Sequence, residues 1–221
     1  MGAGCVGMGP DSVAIERVLW GVILPLLISP LAGIVLGFMV FAFIRALCGR
    51  AHRRIGGFFE FLQNPTVLFL AASHGSNDAQ KSMGVIAIIL ASRVGEMHGE
   101  LPLPSWAIIS CAAALALGLT AGGWRIVKTV GFQICRMEPV HSFASQFTST
   151  LVVLGASLMG GPVSTTQVVA SSVMGVGASR RLGVVRWSVA AHIAYAWLLT
   201  FPVCAAISAG TLWCLRRFVA L

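Results

Sequence analysis

A chain of 221 residues that is 57% hydrophobic and only 10% charged falls outside the range of soluble domains, which run about 45–50% apolar and about a quarter charged. Its mean hydropathy of +0.89 and its 25 glycines fit helices packed in a bilayer, where small residues allow close approach. The formal charge of +8 sits in short clusters between apolar runs, with no basic tract of interleaved aromatics. That pattern sets membrane topology and argues against a nucleic-acid partner.

In chain order, residues 1–17 form an N-terminal segment. Met1 to Asp11 lacks a basic region ahead of an apolar core, so it is no ordinary signal peptide. It begins Met-Gly with Cys5 and Ser12 nearby, a weak myristoylation pattern. Val18 to Leu47 is nearly continuous apolar sequence, enough for a full span, with Pro25 and Pro30 expected to kink it. Arg45, Arg50, His52, Arg53 and Arg54 follow and place the next loop in the cytoplasm.

Thr66 to Ala91 is the second span, and it carries a polar cluster at its centre: Ser73, His74, Ser76, Asn77, Asp78, Gln80 and Lys81. A charged side chain at mid-membrane costs about 2.5–3.5 kcal/mol on insertion scales, which makes such a cluster a candidate functional site. Gly75 is expected to break the helix and free backbone groups toward a ligand. Ser92 to Pro104, with Arg93, Glu96 and Glu100, suits the outer face. Ser105 to Gly123 returns inward to a second basic cluster, Arg125, Lys128 and Arg136.

Val140 to Gly177 is interrupted at Gly160-Gly161-Pro162, and a third basic cluster, Arg180, Arg181 and Arg186, follows. Basic groups at both ends predict a hairpin that turns near Gly160. Trp187 to Trp213 then leaves the cytoplasm. The expectation is an all-α, polytopic integral membrane protein of about four transmembrane helices plus a helical hairpin. Residues 18–221 form a single membrane domain, multi-pass in the cell membrane, with both ends outside; Arg216 and Arg217 run against the positive-inside rule there. Trp20, Trp106, Trp124, Trp187 and Trp213 fall near span ends, as an interfacial belt requires, and Trp197 lies mid-span. The six cysteines lie far apart without a C-x-x-C pair. They read as small buried hydrophobes rather than as disulfides or a metal site.

Two constellations can carry chemistry. In the first, Asp78 offers a carboxylate for a cation or proton, Asn77, Ser73 and Ser76 offer neutral oxygens, and Lys81, three residues on, can neutralise Asp78 or help hold an anion. The bland alternative is an Asp–Lys pair that fixes helix packing. In the second, Gly161-Pro162-Val163-Ser164-Thr165-Thr166-Gln167 has the Pro, hydroxyl caps and apolar continuation of a helix N-terminus. Placed at membrane depth, its unpaired N–H groups and three hydroxyls make an anion site; placed at the cytoplasmic face, they are an ordinary cap. Ser142, Ser145, Gln146, Thr148, Ser149 and Thr150 are read as packing hydroxyls, except Gln146 as a possible wall of the site. His74 and Asp78, four apart, also suit a general acid–base couple of a membrane-bound transferase.

Ser73–Gly84 (S-H-G-S-N-D-A-Q-K-S-M-G), Gly122–Gly131 (G-G-W-R-I-V-K-T-V-G) and Pro162–Thr166 (P-V-S-T-T) together resemble the inorganic phosphate transporter (Pit) family, in the family's order, from about Val18 to the end. Members of that family have two related halves in inverted orientation; this chain has one copy of each motif and is similar to the C-terminal half. The resemblance implies no enzyme and no cofactor. It implies secondary transport of inorganic phosphate, free or as metal–phosphate, coupled to protons or sodium, with the missing half or a second copy needed to complete the site. Carried over, Ser164, Thr165 and Thr166 bind phosphate. Asn77 and Asp78, with Ser76, Lys81 and Gln146, bind the coupling ion or support the site. Gln167 stands where many relatives have His, and Gln146 where an acidic residue is common. The alternatives are a structural or vestigial membrane subunit without transport, or the transferase that uses His74 and Asp78.

Overall fold

The computed structural model describes residues 15–48, 55–94, 103–135, 137–161 and 163–218. The segment around Cys5 and Ser12, the basic loop from Arg50 to Arg54, Glu96 and Glu100, Arg136 and Pro162 lie outside the described residues, as do the side chains of Arg93 and Arg125. Every element among the described residues is helical. After a short helical turn at Ile15–Val18 and a π-helical turn at Leu19–Ile23 come α1 (Leu24–Cys48), α2 (Ile55–Val94) and α3 (Ser105–Lys128). A second π-turn (Thr129–Gln133) leads to α4 (Pro139–Leu158), α5 (Thr165–Arg180), a 3₁₀ turn (Leu182–Val184) and α6 (Trp187–Phe218).

Among the described residues three stretches are long and apolar enough to cross a membrane: Leu19–Cys48, Ser105–Gln133 and Trp187–Phe218. Their surfaces carry the apolar side chains that a water-soluble fold buries. Leu31, Phe43, Leu117, Leu198 and Ile207 are all exposed, as are the tryptophans expected at the interfaces, Trp20, Trp106, Trp124, Trp187 and Trp213. Half-buried Trp197, the one expected mid-span, differs from them. The chain is an all-α integral membrane protein.

The cysteines correct one expectation. Cys135 is buried and Cys48 and Cys111 are half-buried, but Cys204 and Cys214 on α6 are exposed. In lipid an apolar thiol needs no protein around it, so the expectation of burial, framed for an aqueous exterior, failed there.

The chain divides into two compact units. One comprises the described residues up to Leu24 together with α6. The other, Pro25–Arg186, contains the rest of α1 and α2 to α5, and everything that follows concerns it.

Within that unit α1 and α5 lie unusually close because glycine occupies the contact. A Cβ on Gly37 would stand 2.7 Å from the Ser172 carbonyl oxygen, one on Gly33 would strike the Ser171 hydroxyl, and one on Gly175 would strike the Ile34 carbonyl. Small residues four apart on both helices let the backbones meet, the usual route to tight packing where lipid removes the hydrophobic drive. Farther along, Phe41 of α1, Ala144 of α4 and Val176 of α5 form a buried cluster, with the Phe41 ring 4.7 Å from that of His141. Arg45 Nη1 donates to the Ser179 carbonyl at 3.2 Å, and Glu138 pairs with Arg180 at 3.2 Å. Glu138 also opens α4 in a reciprocal cap with His141, one turn ahead of the apolar run.

The predicted hairpin is present. α4 ends at Leu158, the chain turns through Gly160, whose φ of +69° suits glycine, and α5 begins at Thr165. The predicted break at Gly75 is absent, because α2 runs unbroken for 40 residues through the polar cluster. An isolated glycine costs a helix interior only about 1 kcal/mol. The intact i→i+4 ladder satisfies the backbone there, and the polar side chains find partners on the hairpin instead.

Candidate functional site

The polar cluster of α2 and the tip of the α4–α5 hairpin meet. Asn77 is buried, and its amide nitrogen donates to the Val163 carbonyl at 3.1 Å. Lys81 Nζ donates to the same oxygen at 2.7 Å and to Asp78 Oδ1 at 3.0 Å. Two donors fill both lone pairs of that carbonyl, so α2 grips the residue two positions ahead of α5. One turn earlier, His74 Nδ1 lies 2.6 Å from the hydroxyl of buried Thr165. Residues spaced i, i+3, i+4 and i+7 share one helix face, which brings His74, Asn77, Asp78 and Lys81 to the hairpin together.

Ser164 caps α5, and its hydroxyl accepts from the Gln167 amide at 3.5 Å. Its extended backbone leaves the first-turn amides of α5 directed outward from the helix end, where a helix presents partial positive charge. Thr166 is exposed and lines a cavity of about 860 Å³ with His74 and Thr165. A smaller cavity of about 180 Å³ lies against Asn77, Lys81 and Gly160. The grip on Val163 involves Asn77 and Lys81, which line only the smaller cavity, whereas His74 and Thr165 line only the larger.

Not every expected residue joins this arrangement. Ser76 is exposed and lies off the His74–Lys81 face; its hydroxyl accepts from Gln80 at 3.4 Å. Gln146 lines the larger cavity, but far from Thr165. Ala144 packs level with Val176, which is 11 residues beyond Thr165. At 1.5 Å per residue Gln146 therefore stands roughly 13 Å along the axis from Thr165. Its side-chain carbonyl is buried without a hydrogen-bond partner, as is that of Gln167. Four of the α4 hydroxyls satisfy the helix itself: Ser145, Thr148, Ser149 and Thr150 each donate to a carbonyl three or four residues back, whereas that of Ser157 is buried without a partner. Sequence reasoning missed the Val163 carbonyl, a backbone group with no letter of its own, and gave His74, though in the cluster, a role only in the transferase alternative.

The transferase geometry is not assembled. Asp78 Oδ2 approaches His74 at 3.5 Å through Nδ1, the same nitrogen that faces Thr165. A relay needs the orienting carboxylate and the nucleophile on opposite ring nitrogens. Among the described residues no group of three or more His, Cys, Asp or Glu side chains gathers into a metal site.

Fold and site together define an integral membrane protein in which a helix N-terminus at a hairpin tip is clasped by a polar cluster in the middle of a long helix. The chain belongs to the phosphate transporter family, whose model matches residues 1–208. It is 36% identical over 211 residues to a probable low-affinity inorganic phosphate transporter of Rhizobium meliloti, covering 93% of this chain and 63% of that protein. A protein of the same description from Bacillus subtilis is 35% identical over 186 residues, covering 83% of this chain and 55% of the relative. The chain thus spans little more than half the length of these relatives. Among solved structures, that of a sodium-dependent phosphate transporter shares the fold, with a TM-score of 0.82 at 23% identity, covering 99% of this chain and 71% of that one.

Proposed function

We propose that this chain contributes to secondary active transport of inorganic phosphate, by symport with a cation, as a multi-pass protein of the cell membrane. The observation that carries the reading is the 2.6 Å contact between His74 and Thr165, 91 positions apart, which joins the two family motifs at one point. In this reading residues 18–221 act as one membrane domain, and a second half or second copy closes the site, as inverted-repeat carriers require. Ser164, Thr165, Thr166 and the first amides of α5 hold the oxyanion, a task for which helix N-termini are suited. Membership of the phosphate transporter family supports phosphate over other oxyanions.

Asp78 and the side-chain oxygen of Asn77 are the donors for the coupling ion, since hard cations take oxygen ligands. Two observations favour sodium over the proton. The solved structure that shares the fold is that of a sodium-dependent phosphate transporter, and Gln146 and Gln167 are uncharged side chains that cannot titrate. Lys81 neutralises Asp78 when no ion is bound. Ser76 contributes only if a second half or copy covers its face of α2. The cargo is free phosphate or its metal complex.

Uptake of labelled phosphate into proteoliposomes holding this chain tests the reading. Uptake driven by a sodium gradient and abolished by Asp78→Asn supports it. A silent protein at every pH and sodium concentration, with or without a co-reconstituted N-terminal half from a relative, makes the chain a structural subunit.

A further inference from the structure

We propose that the larger cavity takes monosubstituted phosphates and phosphonates bearing an apolar tail, and that such amphiphiles compete with phosphate. The proposal rests on the phosphate reading above and names a further ligand class for the same site. A cavity of about 860 Å³ lies in the range that buries whole drug-sized ligands in largely apolar walls. Inorganic phosphate fills only a small corner of that space.

The α2 and α5 walls change character along one direction. On α2 the lining runs from His74 back through Ala71 and Leu70 to Val67; on α5 it runs from Thr165 and Thr166 forward through Val169 to Val173. His74 touches Thr165, so the polar ends of both walls coincide and the apolar ends extend away together. Seven residues on α2 and eight on α5 make each wall about 10–12 Å long. Val130 and Phe132 of the second π-turn close a third side; Gln146, Ser145 and Ser142 of α4 add polar groups at the far end, beyond the apolar stretch, and among the described residues no acidic side chain lines the cavity. A ligand matched to this surface has one oxyanion head and an apolar tail of about that length. Each methylene it buries strengthens binding about fourfold until the wall is covered.

The test uses the full chain in nanodiscs and displacement of labelled phosphate by methyl-, butyl- and octylphosphonate. The expected result is rising affinity along the series, and no displacement by octyltrimethylammonium, which has the same tail with the opposite charge. Val67→Trp, at an exposed position on the far end of the wall, should flatten the gain from butyl to octyl and leave methylphosphonate unchanged. Phosphate and methylphosphonate bound with an affinity independent of tail length would overturn this inference and leave the phosphate reading standing. A gain that Val67→Trp does not touch places the tail in lipid and also overturns it. Failure of phosphate and methylphosphonate alike to bind, with or without a co-reconstituted N-terminal half from a relative, overturns the phosphate reading, and this inference with it.

Discussion

Replacing Lys81 by Met removes one of the links between α2 and the hairpin tip. Lys81 supplies one of the two hydrogen bonds on the Val163 carbonyl, at 2.7 Å, and one of the bonds on Asp78, at 3.0 Å. A hydrogen bond from a charged donor contributes about 1.5–3 kcal/mol when sheltered. The Lys81 side chain is 43% exposed, so screening brings the loss down to about 1–1.4 kcal/mol. Asn77 stays on the carbonyl and keeps the hairpin from detaching fully. At about 1.4 kcal/mol per tenfold, transient opening of the tip should become about five- to tenfold more frequent. Hydrogen exchange reads this directly at the amides of Met159, Gly160 and Gly161, which donate within the turn. Those amides should exchange about five- to tenfold faster, while the buried amides of Val168 to Val176 hold their rate. Adding Asp78→Asn separates the clasp from the charge: if the carbonyl contact dominates, the double variant exchanges like Lys81→Met alone. Tip exchange unchanged within about twofold, or acceleration spread equally through α5, would refute the reasoning.

Three further outcomes follow from the geometry. Gly37→Ala sets a Cβ 2.7 Å from the Ser172 carbonyl, so it should destabilise the protein by about 1–3 kcal/mol through overpacking; thermal unfolding in detergent checks this. Gly160→Ala meets open space but keeps a φ of +69°, so it should cost about 1–2 kcal/mol from backbone strain alone, with the loss confined to the turn in hydrogen exchange. Glu138→Gln breaks the pair with Arg180, whose partners are 46% and 60% exposed, and should move stability by less than about 1 kcal/mol in the same unfolding assay.

The hairpin was legible in the sequence because two independent signals coincide: glycines and a proline interrupt the apolar run at Gly160–Pro162, and basic clusters flank both arms. The role of the α4 hydroxyls was legible too, since Ser and Thr in an apolar helix have their own carbonyls as nearest partners. The break at Gly75 was misread because a glycine among polar residues looks the same whether the backbone opens or the side chains reach across to another element. Gln146 and Thr165 looked equally close to the site because 19 residues of separation carry no information on level until the register of α4 against α5 is known. The grip of Asn77 and Lys81 on a backbone carbonyl could not be read at all. The close α1–α5 contact could have been read, since Gly33 and Gly37 stand four apart in an apolar span and Ser171 and Gly175 repeat the spacing.

The central claim is that the hairpin tip and the α2 cluster together hold phosphate, and equilibrium binding of labelled phosphate to the purified chain tests it most directly. With Thr165→Val, which keeps the shape and removes the hydroxyl that meets His74, the account predicts at least a tenfold weaker affinity in a folded protein whose stability falls by no more than about 0.5–1.5 kcal/mol, the contribution of one hydrogen bond. Phosphate bound as tightly by Thr165→Val as by the unaltered chain would contradict it.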